Sequence, residues 1–359
     1  MTESNEGRET VHHGEYKVPG GKLLVADVTV REGRLASVQL SGDFFLEPDE
    51  ALEAINRALV GASIDADANT LIARIQSALL PQTEMVGLSV PAIATVIRRA
   101  LSRTSDWRDH RFGLIHRAPE SPLLHMALDE VLTREVAAAR RGPTLRVWEW
   151  DRAAIIIGVF QSLANEVDAE AAGHAGIEVV RRISGGGAMF VEPGNTITWS
   201  LIVPETLVQG LTFVESYAFL DEWVIQALGD MGITAWYVPI NDITSPGGKI
   251  AGAAQKRING AVLHHVTMAY DIDAEKLTRV LRIGREKLSD KGTTSAGKRV
   301  DPLKRQTGLA REEIIQRMIE SFAARFTLEP DALTENERDA ANILANDKFA
   351  SEAWLRRVP

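Results

Sequence analysis

Residues 178–204 read EVVRRISGGGAMFVEPGNTITWSLIVP, and their centre, Arg181-Arg182-Ile183-Ser184-Gly185-Gly186-Gly187-Ala188, decides how the rest of the chain is read. Three consecutive glycines between strand-like flanks are costly, because glycine loses the most backbone entropy on folding. The compensation is close approach of backbone N–H groups to a ligand with no Cβ in the way. Two arginines just upstream can meet a phosphate or carboxylate bidentately. On its own the segment fits a glycine-rich bulge beside surface arginines equally well. The flanks predict a hairpin, turning at Pro193-Gly194-Asn195 into TITWSLIVP.

Two later segments share this character. Asn241-Asp242 is followed by Gly247-Gly248-Lys249-Ile250-Ala251-Gly252, which puts Lys249 among small residues at a strand start. An ammonium entering a pocket there can stabilise charge on an α-phosphate or acyl oxygen, and one such preorganised donor is worth roughly 3–4 kcal/mol in a transition state. The bland alternative is an exposed turn lysine. The spacing is not that of a Walker motif. Beyond it, Gln255-Lys256-Arg257 and His264-His265-Val266-Thr267 flank an Asn259-Gly260 turn. Adjacent strand residues face opposite sides, so His264 and His265 do not line one pocket, which argues against a two-histidine metal site. Metalloprotease, α/β-hydrolase and dinucleotide-binding signatures are missing.

Outward from these segments, the 359 residues suggest two domains. An α+β unit is expected over residues 14–103. LLVADVTVREGRLASVQLSGDFFL alternates apolar and polar positions around a Glu32-Gly33 turn, and three helical stretches follow. Residues 1–13 read as a disordered tail and 104–110 as a linker. The second unit, 111–359, opens on a helix with Ser121 and Pro122 at its N-cap and first turn. A strand pair, TLRVWEW and AAIIIGVF, comes next, then helices and strands suited to a mixed sheet. With 49 acidic against 40 basic residues, a net charge of −9 gives no general drive toward nucleic acid. No apolar run is long enough to span a membrane, and no signal peptide is evident, so a cytoplasmic location is expected. The chain has no cysteine, which removes disulfides and every route through a cysteine thioester.

In order along the chain, IGVFQ (Ile157–Gln161), RRISGGGA, Gly194-Asn195, Asn241-Asp242, KIAGAAQKR (Lys249–Arg257), HHVT and the downstream TTSAGKRV resemble the catalytic domain of the lipoate–protein ligases, relatives of the biotin–protein ligases. The first unit is similar to the accessory domain of the same ligases, notably in GEYKVPGGKLL and SGDFFLEP, here placed first. The resemblance implies an α+β fold with a mixed-sheet catalytic domain and a small accessory domain. It implies activation of lipoate, or octanoate, by ATP and Mg²⁺ as an acyl-adenylate. Acyl transfer then follows to a lysine of a lipoyl carrier, a 2-oxoacid dehydrogenase E2 subunit or the glycine-cleavage H protein. Lys249 is expected to bridge the acyl carbonyl and the phosphate. The resemblance also assigns the substrate and adenylate contacts to Arg182, Ser184, Gly185, Gly186, Gly187, Ala188, Asn241, Asp242, Gly252, Ala253, His265 and Thr267. Mg²⁺ is expected to ride on ATP, with Asp242 the candidate protein ligand and no all-protein cage.

Two positions depart from the family pattern, Val191-Glu192 in place of His-Asp and Pro239-Ile240 in place of Gly-Arg. Octanoyltransferases and lipoyl amidotransferases are similar in fold, but those nearest in pattern carry the acyl group on a cysteine. A cysteine-independent transferase and a non-catalytic binder of lipoyl carriers are the alternatives.

Overall fold

A computed structural model describes residues 9–18, 21–102, 104–272 and 300–358, and the chain divides into two units, 1–106 with 206–219, and 107–205 with 220–359. In the first unit, β1 (Thr10–Lys17), β2 (Leu23–Arg31) and β3 (Arg34–Gly42) form an antiparallel sheet in that order. Glu32 and Gly33 both have positive φ (53° and 70°), the geometry that a two-residue hairpin of this twist requires. A small ladder pairs β4 (Phe45–Glu47) with β5 (Glu84–Val86), and three helices complete the unit: α1 (Glu50–Leu59), α2 (Ala68–Ala78) and α3 (Val90–Leu101). The side chains of Asp67 and Ser89 cap α2 and α3 by accepting from Thr70 and Ala92 N–H. Within this unit the buried Arg99 guanidinium donates to the carbonyls of Glu15, Leu207 and Gln209.

The expected boundaries need correction. Residues 10–13 are strand, not tail. The 104–110 stretch is no free linker, because Trp107 stacks on Phe326 at 4.4 Å within the second unit. Residues 206–219 group with the first unit.

The second unit is built on an eight-stranded sheet. Its order is β12 (Trp236–Val238), β13 (Asp242–Ser245), β14 (Gly248–Ile258), β15 (Ala261–Ala269), β11 (Thr196–Pro204), β7 (Thr144–Trp148), β6 (Arg111–His116) and β16 (Thr327–Pro330). Neighbours are antiparallel except β6 with β7 and β16 with β6. The β14–β15 hairpin closes at Asn259-Gly260, both at positive φ (44° and 99°), as the dipeptide predicts. Helix α4 (Pro122–Ala137), capped by Ser121 at Leu124 N–H, buries Met126, Ala127, Leu128 and Val131 in the core on one side of the sheet. Trp199, Trp223 and Phe322 pack together in this unit, with 5.0 Å between the centroids of each neighbouring pair.

A second, three-stranded sheet runs β10 (Met189–Val191), β8 (Ala154–Ile157), β9 (Glu178–Arg181), with β8 parallel to β9. Two expected pairings are therefore absent. TLRVWEW and AAIIIGVF do not pair, because β7 lies in the large sheet and β8 in the small one. The hairpin across Pro193-Gly194-Asn195 is likewise split, with β10 and β11 in different sheets. Among the described residues no helix is long and apolar enough to cross a membrane.

Candidate active site

The parallel β8–β9 pair continues past the strands themselves. Arg182 N–H donates to Ile157 O (3.0 Å) and Val159 N–H to Ser184 O (2.9 Å), laying the glycine segment beside Gly158. A Cβ on Gly158 would stand 2.2 Å from the carbonyl oxygen of Gly186. Gly186 itself has φ +93°, a conformation that side chains disfavour. Gln161 Oε1 accepts from Gly158 N–H at 2.7 Å and fixes the turn.

The two arginines have different tasks. Arg181 is wholly buried and donates to the carbonyls of Gly158, Gln161 and Leu355, so it ties the C-terminal residues to the loop and is unavailable to a ligand. Arg182 donates to the carbonyls of Ile156, Gly185 and Gly187 and to Ser184 Oγ. It was expected to reach a phosphate or carboxylate, yet here its donors shape the glycine loop. Asn241 likewise serves the backbone. Its side-chain amide nitrogen donates to Ala253 O (2.7 Å) while its backbone carbonyl accepts from Ala253 N–H, which clasps the start of β13 to β14.

Lys249 and Gly252 are three residues apart, so strict alternation would put them on opposite faces of β14. A β-bulge between Ile243 and Thr244 pairs Ile243 with Ala251 but Thr244 with Lys249, leaving Ile250 as the extra residue. The face then switches, and the Lys249 chain lies across Gly252, where an added Cβ would meet Nζ at 2.9 Å. Lys249 Nζ ion-pairs with Asp242 Oδ1 at 2.7 Å, the lysine side chain 31% and the aspartate 13% exposed. The turn that carries Lys249 is held by buried Asp301, whose N–H donates to Lys249 O (2.9 Å) and whose Oδ2 accepts from Ser245 Oγ (2.7 Å). Of the TTSAGKRV segment, only Val300 lies within the described residues; it bridges Lys249.

Gly252 and Ala254 share a face of β14, and their partners across the ladder are Thr267 and His265. A Cβ on Gly186 would lie 3.9 Å from Ala254 Cβ. Lys249, Gly252, the glycine loop, His265 and Thr267 thus come together. Thr267 Oγ1 donates to Met189 Sδ at 3.0 Å, and Ala188 packs beside Phe190 in the apolar cluster of the small sheet. His264 faces the other way, 2.7 Å from Asp221 Oδ1 and 3.1 Å from Gln255 Nε2, as strand alternation requires.

His265 heads a buried network that the sequence reading did not assemble. Its Nε2 is 2.6 Å from Ser184 Oγ and its Nδ1 is 2.8 Å from Asp129 Oδ2. Asp129 Oδ1 accepts from Arg146 Nη2 (2.7 Å) and Ser200 Oγ (2.6 Å), and Arg146 also contacts His125. Burial raises the Asp129 carboxyl, but Arg146 and the His265 hydrogen bond outweigh it and hold the group below the usual range. Burial pushes His265 down against the pull of Asp129. Burial and Arg146 together push His125 down to about 3. The available sequence signal was a carboxylate at 129 inside the apolar stripe of α4.

These depressed histidines make stability pH-dependent. Both are neutral in the folded protein at pH 7, whereas the unfolded chain binds protons below the ordinary value of 6.5. Their contribution is full above that value and is lost as pH falls. Thermal denaturation followed from pH 7.5 to 5 is expected to show a steadily falling Tm. A Tm that is level or rises over that range contradicts the buried neutral state. His13, raised chiefly by its hydrogen bond to Asp27, acts in the opposite sense, but it is largely exposed and solvent-screened.

The site thus sets a glycine loop against a lysine on one face of a mixed sheet. The chain belongs to the lipoyl protein ligase A/B catalytic domain family, whose model matches residues 121–323. It is 28% identical over 276 residues to an octanoyltransferase LipM of Kyrpidia tusciae, covering 68% of this chain and 98% of that one. Among solved structures it is similar to a bipartite lipoate protein ligase from Thermoplasma acidophilum studied with its E2 lipoyl domain (27% identity, TM-score 0.60, covering 70% of this chain and 97% of that one). It is also similar to a lipoate-protein ligase A bound with ATP (25% identity, TM-score 0.58, covering 69% of this chain and 98% of that one). The fold is that of the lipoate-protein ligases.

Proposed function

We propose that this member of the family is an ATP-dependent lipoate–protein ligase. The observation that carries the reading is the Lys249 ammonium lying across Gly252, on the strand face that also meets the glycine loop. In the first half-reaction a carboxylate oxygen of lipoate, or octanoate, attacks the α-phosphorus of ATP, and the bond to pyrophosphate breaks. Lys249 leaves Asp242 for the charge developing between acyl carbonyl and phosphate, where a fixed cation counts most. In the second, a carrier lysine amine attacks the acyl carbon and AMP departs. The likeness to a ligase bound with ATP supports the nucleotide, and the likeness to one studied with its E2 lipoyl domain supports such a carrier, with the glycine-cleavage H protein a further candidate.

Mg²⁺ would enter as a companion of the triphosphate. Among the described residues no group of three His, Asp or Glu side chains is placed to hold a metal, while Asp242 offers a single carboxylate beside Lys249. One carboxylate plus substrate phosphates is the usual magnesium arrangement, and the ion supplies charge neutralisation there.

The octanoyltransferase relatives favour a second reading, direct acyl transfer without nucleotide. A cysteine-carried route has no nucleophile in this chain. Lipoate-dependent exchange of labelled pyrophosphate into ATP separates the two. The ligase exchanges label without any carrier present. Absence of exchange, together with acyl transfer from a thioester donor, would establish the transferase instead.

A further inference from the structure

The buried Ser184–His265–Asp129 chain has a direction. A carboxylate only accepts, so the imidazole proton sits on Nδ1, facing Asp129 Oδ2 at 2.8 Å. Nε2 is then bare in the neutral ring and accepts the Ser184 hydroxyl proton across 2.6 Å. Ser184 Oγ in turn accepts from Arg182 Nε at 3.0 Å, which leaves the oxygen one unused lone pair. Asp129 cannot swing away, because Arg146 and Ser200 hold its other oxygen. The result is a polarised hydroxyl backed by a base and an orienting carboxylate, the arrangement that withdraws a proton from an attacking group.

Ser184 immediately precedes Gly185–Gly187, and Gly186 and Gly187 are exposed with no side chain to screen them. The strand face that presents His265 also presents Ala254, which meets the loop, and Gly252, which carries Lys249. On the ligase reading, the attacking lysine amine must shed a proton at this place. Resting on that reading, we infer that Ser184, His265 and Asp129 form a proton relay for the transfer half-reaction. As the carrier nitrogen bonds to the acyl carbon and the acyl–oxygen bond to AMP breaks, one amine proton passes to Ser184 Oγ. The serine's own proton passes to His265 Nε2, and Asp129 stabilises the imidazolium. Ser184 is the end of the relay nearest the exposed Gly186 and Gly187, but its own hydroxyl is fully buried, so the glycine loop must part for the carrier amine to reach it; His265 and Asp129 act through it. The relay has no part in adenylation, whose nucleophile is already a carboxylate.

The two half-reactions are measured separately on the full chain. Pyrophosphate exchange reports adenylation, and rapid-quench transfer from preformed lipoyl-adenylate to an E2 lipoyl domain reports aminolysis. Ser184→Ala and His265→Gln are expected to slow transfer from saturating preformed adenylate about a hundredfold or more, the usual scale for a lost general base, a much larger fall than in exchange, which reads whatever the two residues contribute to binding. A thermal midpoint measured on each variant shows that it is folded. In Ser184→Ala, transfer recovers as pH rises and the carrier amine deprotonates unaided, which loss of packing alone would not produce. An equal fall in both half-reactions, or undiminished transfer, overturns the relay and leaves the ligase reading standing. No exchange in the unmodified protein removes both.

Discussion

Lys249→Ala is expected to lower lipoate-dependent pyrophosphate exchange by about two orders of magnitude or more. The fold is expected to survive. Lys249 is about a third exposed and its pair with Asp242 is screened by solvent, so stability changes by about 1 kcal/mol or less. Lys249→Arg is expected to rescue poorly. A guanidinium is a planar fork where the geometry holds a point charge, and the chain must lie against Gly252, where an added Cβ would come within 2.9 Å of Nζ. The checks are exchange kinetics and a denaturation midpoint on the same preparation. Full exchange from a folded Lys249→Ala protein would remove Lys249 from the chemistry.

Gly158→Ala is expected to damage both stability and rate. The new methyl would lie 2.2 Å from Gly186 O, a backbone atom that cannot rotate away. Either the glycine loop shifts or β8 does, and overpacking of this kind costs roughly 1–3 kcal/mol. A loop displaced by about 1 Å also misplaces whatever it holds, which can cost about a hundredfold in rate. Gly173→Ala is the matched control, since a Cβ there meets nothing within 4 Å in its short helix. Thermal midpoints and exchange rates of the two variants are expected to diverge sharply. Similar behaviour would mean that the IGVFQ turn does not position the loop.

The legible parts of this chain are those where a local signal had one structural meaning. Glu32-Gly33 and Asn259-Gly260 each demanded positive φ at two residues and each closes a hairpin. Ser121-Pro122 starts a helix because a serine oxygen can accept from Leu124 N–H and proline lacks a donor that the first turn would waste. Alternation alone separated His264 from His265. Partnering was less legible. β7, β8 and β11 are buried throughout or nearly so, the polar Thr144, Arg146, Thr196, Thr198 and Ser200 included, so no solvent-facing side showed which neighbour each would take, and sequence adjacency suggested hairpins that the two sheets do not make.

Within the site, residue types were readable and their duties were not. Arg181 and Arg182 look equivalent in sequence, but the strand turns one toward the C-terminal residues and the other toward the glycine loop. The bulge at Ile250, which lets Lys249 and Gly252 meet, has no mark in GGKIAG beyond its small residues. Asp129 was hidden by distance, since its partners Arg146, Ser200 and His265 lie 17, 71 and 136 residues away.

The most direct measurement is a crystal structure of the full chain with a non-hydrolysable lipoyl-adenylate analogue. The acyl–phosphate junction is expected within hydrogen-bond reach of Lys249 Nζ, with the acyl chain and adenylate against Gly185–Gly187 and Lys249 released from Asp242. An analogue seated elsewhere, with Lys249 still paired to Asp242, would contradict the assignment of this face as the place where acyl group and nucleotide are joined.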